Sequence, residues 1–230
     1  MESEKTYLQN LILNRKVVRN YVESDKTFPA LKEIPKLTIK IPTAGFSRGI
    51  EIISITSKTN INKLAYFANE ESYLKKGFGK WISNSKAIFL ILINQEAYHE
   101  RYEKMDKQNE TNSTSWSVPY WYVDAGAAMM NCMLLIDETG LKSGFLGSHN
   151  MAISEIKSLL KIPENIEILG FVTAGVEDTT NRNNKQKTSQ KKLKVLHIKK
   201  LSTFLESNKK VVQNFKLARL DCFAQLSALF

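Results

Sequence analysis

Arg15, Lys16 and Arg19 put three cations into a five-residue stretch near the start of the chain. Arg15 and Arg19 are four apart, so on a helical turn they would point to one side. A guanidinium suits a phosphate because its planar fork makes two charge-assisted bonds. Read alone, the same residues fit a solvated basic helix end equally well. Further on, Ile41 to Thr56 reads IPTAGFSRGIEIISIT, a small-residue loop running into an apolar strand. Alanine and glycine let backbone approach a flat ligand closely, since no bulky side chain intervenes. Most loops of this composition are only turns. No Ser-His-Asp, Cys-His or metal-ligand spacing is visible, and His99, His149 and His197 are scattered.

Four segments gain weight from their order. They are Arg15-Lys16-Val17-Val18-Arg19-Asn20-Tyr21, the Pro42 to Ser47 loop, Val118 to Ala128, and Gly140-Leu141-Lys142-Ser143-Gly144-Phe145-Leu146-Gly147. In this order they resemble the FMN-dependent nitroreductase family. There an R-x-x-x-R element, a P-S-A-G-x-S-Q loop, a D-x-G-A-A helix and a G-L-x-x-x-x-x-G segment recur. The resemblance spans about residues 10 to 200. Arg101 to Lys107, ahead of the Pro-Tyr-Trp segment, has the flavour of a subgroup.

The resemblance implies an α+β fold with a central, mostly antiparallel sheet flanked by helices, in an intertwined homodimer. It implies FMN as cofactor, bound across the dimer interface. It assigns Arg15, Lys16 and Arg19 to the phosphate and flavin edge. Pro42, Thr43, Ala44, Gly45 and Ser47 would come from the partner subunit. Leu146 and Gly147 match the segment whose backbone approaches flavin N5. Lys191 and Lys192 match a late basic element that meets the phosphate again. Two positions depart from the pattern. Arg48 stands where glutamine is usual, and Val17 stands where serine is common. Arg48 either donates to a flavin carbonyl or points at solvent.

The implied activity is an NAD(P)H-dependent flavin oxidoreductase. A hydride would pass from NAD(P)H through flavin N5 to an electron-poor small molecule such as a nitro compound or quinone. The lack of a side-chain catalytic cluster suits this, because the cofactor carries the chemistry. Trp116, Tyr120, Trp121 and Tyr122 either wall the substrate face or pack at an interface or in the core. A flavin-binding protein with little turnover is the alternative. A nucleic-acid binder is the weaker rival.

Periodicity sets out the elements that must hold these residues. A short amphipathic helix is expected over Lys5 to Leu13, and another near Pro29 to Ile34. Asn60 is expected to cap a helix running to about Asn69. Ala87 to Ile93 is a continuous apolar run, expected as a strand covered on both faces. The polar stretch from Asn94 to Ser117 is either a lid or partly helical. Tyr122 to Thr139 reads as a long helix, apolar nearly all round, with Asp124 as its cap and Gly140 at its end. Ile50 to Ile55 is expected as a buried strand. Ser143 to Leu146 and Ile166 to Ala174 are expected as strands, with a helix from Ser154 to before Pro163. Leu193 to Ile198 makes a possible last strand. Residues 1–200 read as one flavin-binding domain. Residues 201–230 form a C-terminal segment, which in related folds often wraps the partner subunit.

Composition narrows the class. The 230 residues are 43% hydrophobic, with a mean hydropathy of −0.28, as in soluble globular domains. No apolar run is long enough to span a membrane, and the start does not read as a signal peptide. Two cysteines, Cys132 and Cys222, fit a cytoplasmic protein with free thiols. The net charge is +10. Eight of the Lys and Arg residues fall between Arg182 and Lys200, with no acid among them. That run is either a solvated loop or a phosphate-binding surface.

Overall fold

The computed structural model of the chain describes residues 4–107 and 118–180. All of them lie in one compact unit, Met1–Lys185. Lys191, Lys192, the expected strand at Leu193 to Ile198, the boundary near residue 200 and the C-terminal segment lie outside the described residues.

In chain order the elements are α1 (Tyr7–Asn14), β1 (Tyr21–Val22), α2 (Ile34–Thr38), β2 (Ile50–Ile55), α3 (Lys58–Phe67), α4 (Glu70–Lys75), β3 (Ala87–Ile93), α5 (Gln95–Tyr102), α6 (Tyr120–Glu138), β4 (Lys142–Gly147), α7 (Ile153–Leu160) and β5 (Glu167–Glu177). β5 is the central strand. It pairs with β3 along one edge and with β4 and β1 along the other, and β2 pairs with β3. Every pairing is antiparallel. The expected α+β architecture, an antiparallel sheet flanked by helices, is therefore present.

β3 is the apolar spine, and all of its residues are buried. Its side chains alternate between two cores, as strand geometry requires. Ile88, Leu90 and Leu92 join Ile61, Leu64 and Ile156 from α3 and α7. Phe89, Ile91 and Ile93 join Ala125, Ala128 and Ile136 from α6. Each such side chain contributes about 1.5–3 kcal/mol when fully buried. β2 is less buried than expected. Only Ile50 and Ile55 are buried, while Glu51 and Ser54 are exposed. It ends the described sheet with β3 on one edge only, so its side chains meet fewer neighbours.

Several boundaries differ from expectation. α1 ends at Asn14, and Arg15 is already extended at φ −61°, ψ 131°. Arg15 and Arg19 therefore do not share a helical turn. The β-branched pair Val17-Val18 runs beside β4 instead, with the Val18 N–H bonded to Ser143 O at 2.9 Å. α3 starts at Lys58 rather than after Asn60, and the Ile61 N–H bonds to Ser57 O at 2.9 Å. The earlier start turns Ile61, Leu64 and Ala65 inward together. Asn69, at φ +53°, separates α3 from the unanticipated α4. Near Pro29 the chain makes a short 3-10 turn, Pro29–Lys32, ahead of α2. The polar stretch after β3 is helical at first, because Asn94 caps α5 by accepting the Ala97 N–H at 3.2 Å.

α6 spans 19 residues and ends where Gly140 adopts φ +85°. Asp124 does not cap it. The helix begins at Tyr120, which leaves Asp124 inside, where its buried side chain reaches across to another element. α6 is not covered all round, since Val123 is 56% exposed. α1 has no buried residue at all, and Tyr7, Leu8, Ile12 and Leu13 are 48–64% exposed. No helix among the described residues is long and apolar enough to cross a membrane.

Candidate functional site

The residues singled out above form two groups, each with its own supports. The first is the 15–19 segment, laid along β4. The Val18 bond to Ser143 O sets its register. Gly144 permits the approach, since a Cβ there would stand 2.6 Å from Val18 O. Ser143 is fixed in turn by Asp137, whose Oδ1 accepts its N–H at 3.1 Å and its hydroxyl at 2.9 Å. Burial pushes the Asp137 carboxyl up, opposed by those bonds and by the cations Lys142 and Arg15. Tyr21 anchors the far end, with its hydroxyl 3.1 Å from Lys142 O and 3.0 Å from the Thr173 hydroxyl.

The three cations of this segment are not equivalent. Arg15 is half-buried. Lys16 is paired with Glu177 at 2.6 Å. The Arg19 guanidinium lies 5.5 Å from the ring centroid of Trp81 and 5.9 Å from that of Phe78. Its Nη2 reaches Phe145 O only at 3.5 Å, a weak contact. Arg19 Nε and Trp81 Nε1 are buried without a hydrogen-bond partner among the described residues. The Trp81 indole is wholly enclosed, while Arg19 is half-buried. Sequence reading missed Trp81 and the residue that holds it. The buried Glu70 carboxyl accepts the N–H groups of Trp81, Ile82 and Ser83 at 2.9, 2.7 and 3.1 Å. No local motif marks this contact, which spans a loop. Leu146 is buried and Gly147 half-buried, opposite Phe171 and Gly170 of β5.

The second group is the loop from Pro42 to Arg48. Thr43 shapes it, accepting the Arg48 N–H on its hydroxyl at 3.1 Å and the Phe46 N–H on its carbonyl at 2.8 Å. Ser47 is half-buried and donates its N–H to Ala44 O. Gly45, Phe46 and Arg48 all have positive φ. Arg48 is exposed, and its guanidinium stacks 4.1 Å from the centroid of the likewise exposed Phe46 ring. The loop is tied to α5 and α6. Asp124 Oδ2 accepts the Ala44 N–H, and Arg101 Nε donates to Gly45 O. Val17 packs instead against the core shared by α2 and α6. Trp121 packs on Tyr98 at 6.0 Å and on His99 at 5.7 Å, while Tyr122 bonds to Glu167. Tyr120 is 44% exposed, and Trp116 lies outside the described residues. Among the described residues no cluster of His, Cys, Asp and Glu could hold a metal ion.

The nitroreductase family model matches residues 12–176, which include both groups. The chain belongs to the nitroreductase family. A curated relative, the NADPH-flavin oxidoreductase of Vibrio harveyi, is 22% identical over 167 residues. That match covers 73% of this chain, and the chain spans 64% of the relative's length. Solved nitroreductase structures share the fold. An FMN-dependent nitroreductase from Clostridium difficile superposes with a TM-score of 0.57 at 19% identity, covering 81% of this chain and 98% of the other. A nitroreductase-like protein from Streptococcus mutans gives 0.59 at 15% identity, covering 83% and 98%. A nitroreductase family protein from Streptococcus pneumoniae gives 0.58 at 14%, covering 82% and 100%.

Proposed function

We propose that this member of the nitroreductase family is an FMN-dependent oxidoreductase, active as a homodimer with the flavin at the subunit interface. When bound, FMN would accept a hydride from NAD(P)H and pass reducing equivalents to an electron-poor small molecule such as a nitro compound or quinone. The observation that carries this reading is the cation-bearing 15–19 segment laid along β4, inside a fold matched by the family model.

Those residues fit the cofactor. Arg15, Lys16 and Arg19 supply cations for its phosphate and polar edge. The half-buried Arg19 guanidinium suits the carbonyl edge of a flat heterocycle. Phe78 and Trp81 lie within cation–π reach of the Arg19 guanidinium. We assign Leu146 and Gly147 to the flavin N5 side, and Lys191 and Lys192 to a second phosphate contact. The Pro42, Thr43, Ala44, Gly45, Ser47 and Arg48 loop is assigned to the partner's flavin. The described bonds tie this loop to α5 and α6, whereas the 15–19 segment is tied to β4. That separation suits a site completed by a second copy. Exposed apolar side chains on α1 and Val123 of α6 supply a face for the contact. Residues 1–200 then make the flavin domain, with 201–230 reaching toward the partner in a cytoplasmic protein.

The first experiment is an absorbance spectrum of the purified protein before and after adding FMN, with size-exclusion chromatography. Flavin bands that co-elute with a dimer are expected, followed by NAD(P)H oxidation in the presence of menadione or a nitroaromatic. A colourless protein that binds no FMN would overturn the reading. The second reading, a flavin binder with little turnover, draws on Lys16 and Arg48. Both are engaged, by Glu177 and Phe46 respectively. It predicts bound flavin and no nucleotide consumption.

A further inference from the structure

The loop from Thr43 to Arg48 is held in a shape that its own residues do not favour. Phe46 and Arg48 sit at φ +60° and +57°, and Gly45 sits at +60°. Non-glycine residues persist there only where the surroundings over-determine them. The surroundings are two helices. From α5, Arg101 Nε donates to Gly45 O at 2.7 Å. The Tyr102 ring fills the space beside Gly45, where a Cβ would stand 2.6 Å from it. From α6, Asp124 Oδ2 accepts both the Ala44 N–H and the Tyr98 hydroxyl, each at 2.8 Å.

Arg101 is itself locked. Its Nη1 and Nη2 grip the Asp106 carboxylate at 2.9 and 2.7 Å. Asp106 is 62% exposed, so screening leaves that pair little stabilising value. What the pair supplies is geometry, since it turns Nε toward the Gly45 carbonyl. None of these contacts belongs to the sheet ladder.

We propose that Arg101, Tyr102 and Asp124 are positioning residues that clamp the 43–48 loop in the form that receives the cofactor. The ligand's identity rests on the flavin reading, whereas the clamp on the loop does not. It follows that α5 controls cofactor affinity without touching the cofactor.

The test compares wild-type protein with Arg101→Ala, Arg101→Lys and a control on the exposed side of α5, Glu100→Ala. The readouts are trypsin cleavage after Arg48 in the flavin-free full chain, the FMN dissociation constant and the thermal midpoint. Arg101→Ala should speed cleavage at Arg48 and raise the FMN dissociation constant about tenfold or more, while the midpoint stays near wild type. Arg101→Lys, which donates once without the fork, should fall between the two, and Glu100→Ala should match wild type. Unchanged cleavage at Arg48 would overturn the clamp. Faster cleavage with unchanged FMN affinity would overturn the positioning role. Faster cleavage in a protein whose wild type binds no FMN would remove the flavin reading and support the clamp. If Arg101→Ala does not fold, Tyr102→Ala gives the same readouts.

Discussion

The Arg19 guanidinium lies over the Trp81 indole, 5.5 Å from the ring centroid, and both side chains bury an N–H without a partner among the described residues. Leaving a buried donor unpaired costs about 1–3 kcal/mol.

Arg19→Lys keeps the charge but loses the planar fork and its Nε–H. FMN affinity should fall by about 1.5–3 kcal/mol, the range for bonds to charged groups. The unfolding midpoint of the flavin-free protein should move little or rise. Fluorescence titration with FMN and thermal melts of the flavin-free protein measure the two quantities. Equal affinity would show that Arg19 does not meet the ligand.

Arg15 sits half-buried just past the end of α1, in extended backbone. Removing it as Arg15→Ala should weaken FMN retention by about 1.5–3 kcal/mol through a lost phosphate contact. Riboflavin, which lacks the phosphate, should bind both proteins alike. A parallel loss for riboflavin would place Arg15 away from the phosphate.

Glu70 accepts three backbone N–H groups from the loop that carries Trp81. Each buried N–H left without an acceptor costs about 1–3 kcal/mol, and those of Trp81 and Ile82 are buried, so Glu70→Ala should destabilise the fold by at least about 2 kcal/mol. Glu70→Gln keeps one acceptor oxygen and should lose less. Urea denaturation of both variants checks the order.

α1 presents Tyr7, Leu8, Ile12 and Leu13 outward, and none of its residues is buried. A charge placed there, as in Leu13→Glu, should weaken the dimer and reduce flavin retention with it, leaving the far-UV circular dichroism of the monomer near native. Analytical ultracentrifugation with flavin absorbance reads both. A Leu13→Glu protein that remains a flavin-loaded dimer would put the interface elsewhere.

Burial pushes the Cys132 thiol up to about 12 from an ordinary value of 9.0. Burial also raises the phenols of Tyr21 and Tyr98. All three favour the neutral form in the fold. Their stabilisation is complete below their ordinary values and is lost as pH climbs toward the folded ones. Urea midpoints should therefore fall as pH rises above about 9, the usual range for a free thiol. In a Cys222→Ser background, Cys132 should react with a thiol reagent only after denaturation. Rapid reaction of the native protein would contradict its burial.

Much of the secondary structure was legible in local pattern. The uninterrupted apolar run Ala87 to Ile93 could only be a strand with two covered faces, and it is. The long helix before Gly140, the helix that ends before Pro163 and the strand after it followed from the same periodicities. Caps were less legible. Asp124 has the chemistry of a cap, yet it lies inside α6 and serves another element. Arg15 and Arg19 have helical spacing, yet pairing with β4 extends the chain between them.

Residue order along the chain carried the family and the α+β sheet, because motifs and periodicity are local properties. It also drew attention to Arg101 to Lys107 without giving that segment a task. The tasks came from contacts between residues far apart in sequence. Gly45 meets Arg101, Ala44 meets Asp124 across 80 positions, and Trp81 is set by Glu70. Such partners are chosen by the packing of helices on the sheet, which fixes distances and buries the donors. A single sequence states which groups can bond, and only the packed chain brings a given pair within 3 Å.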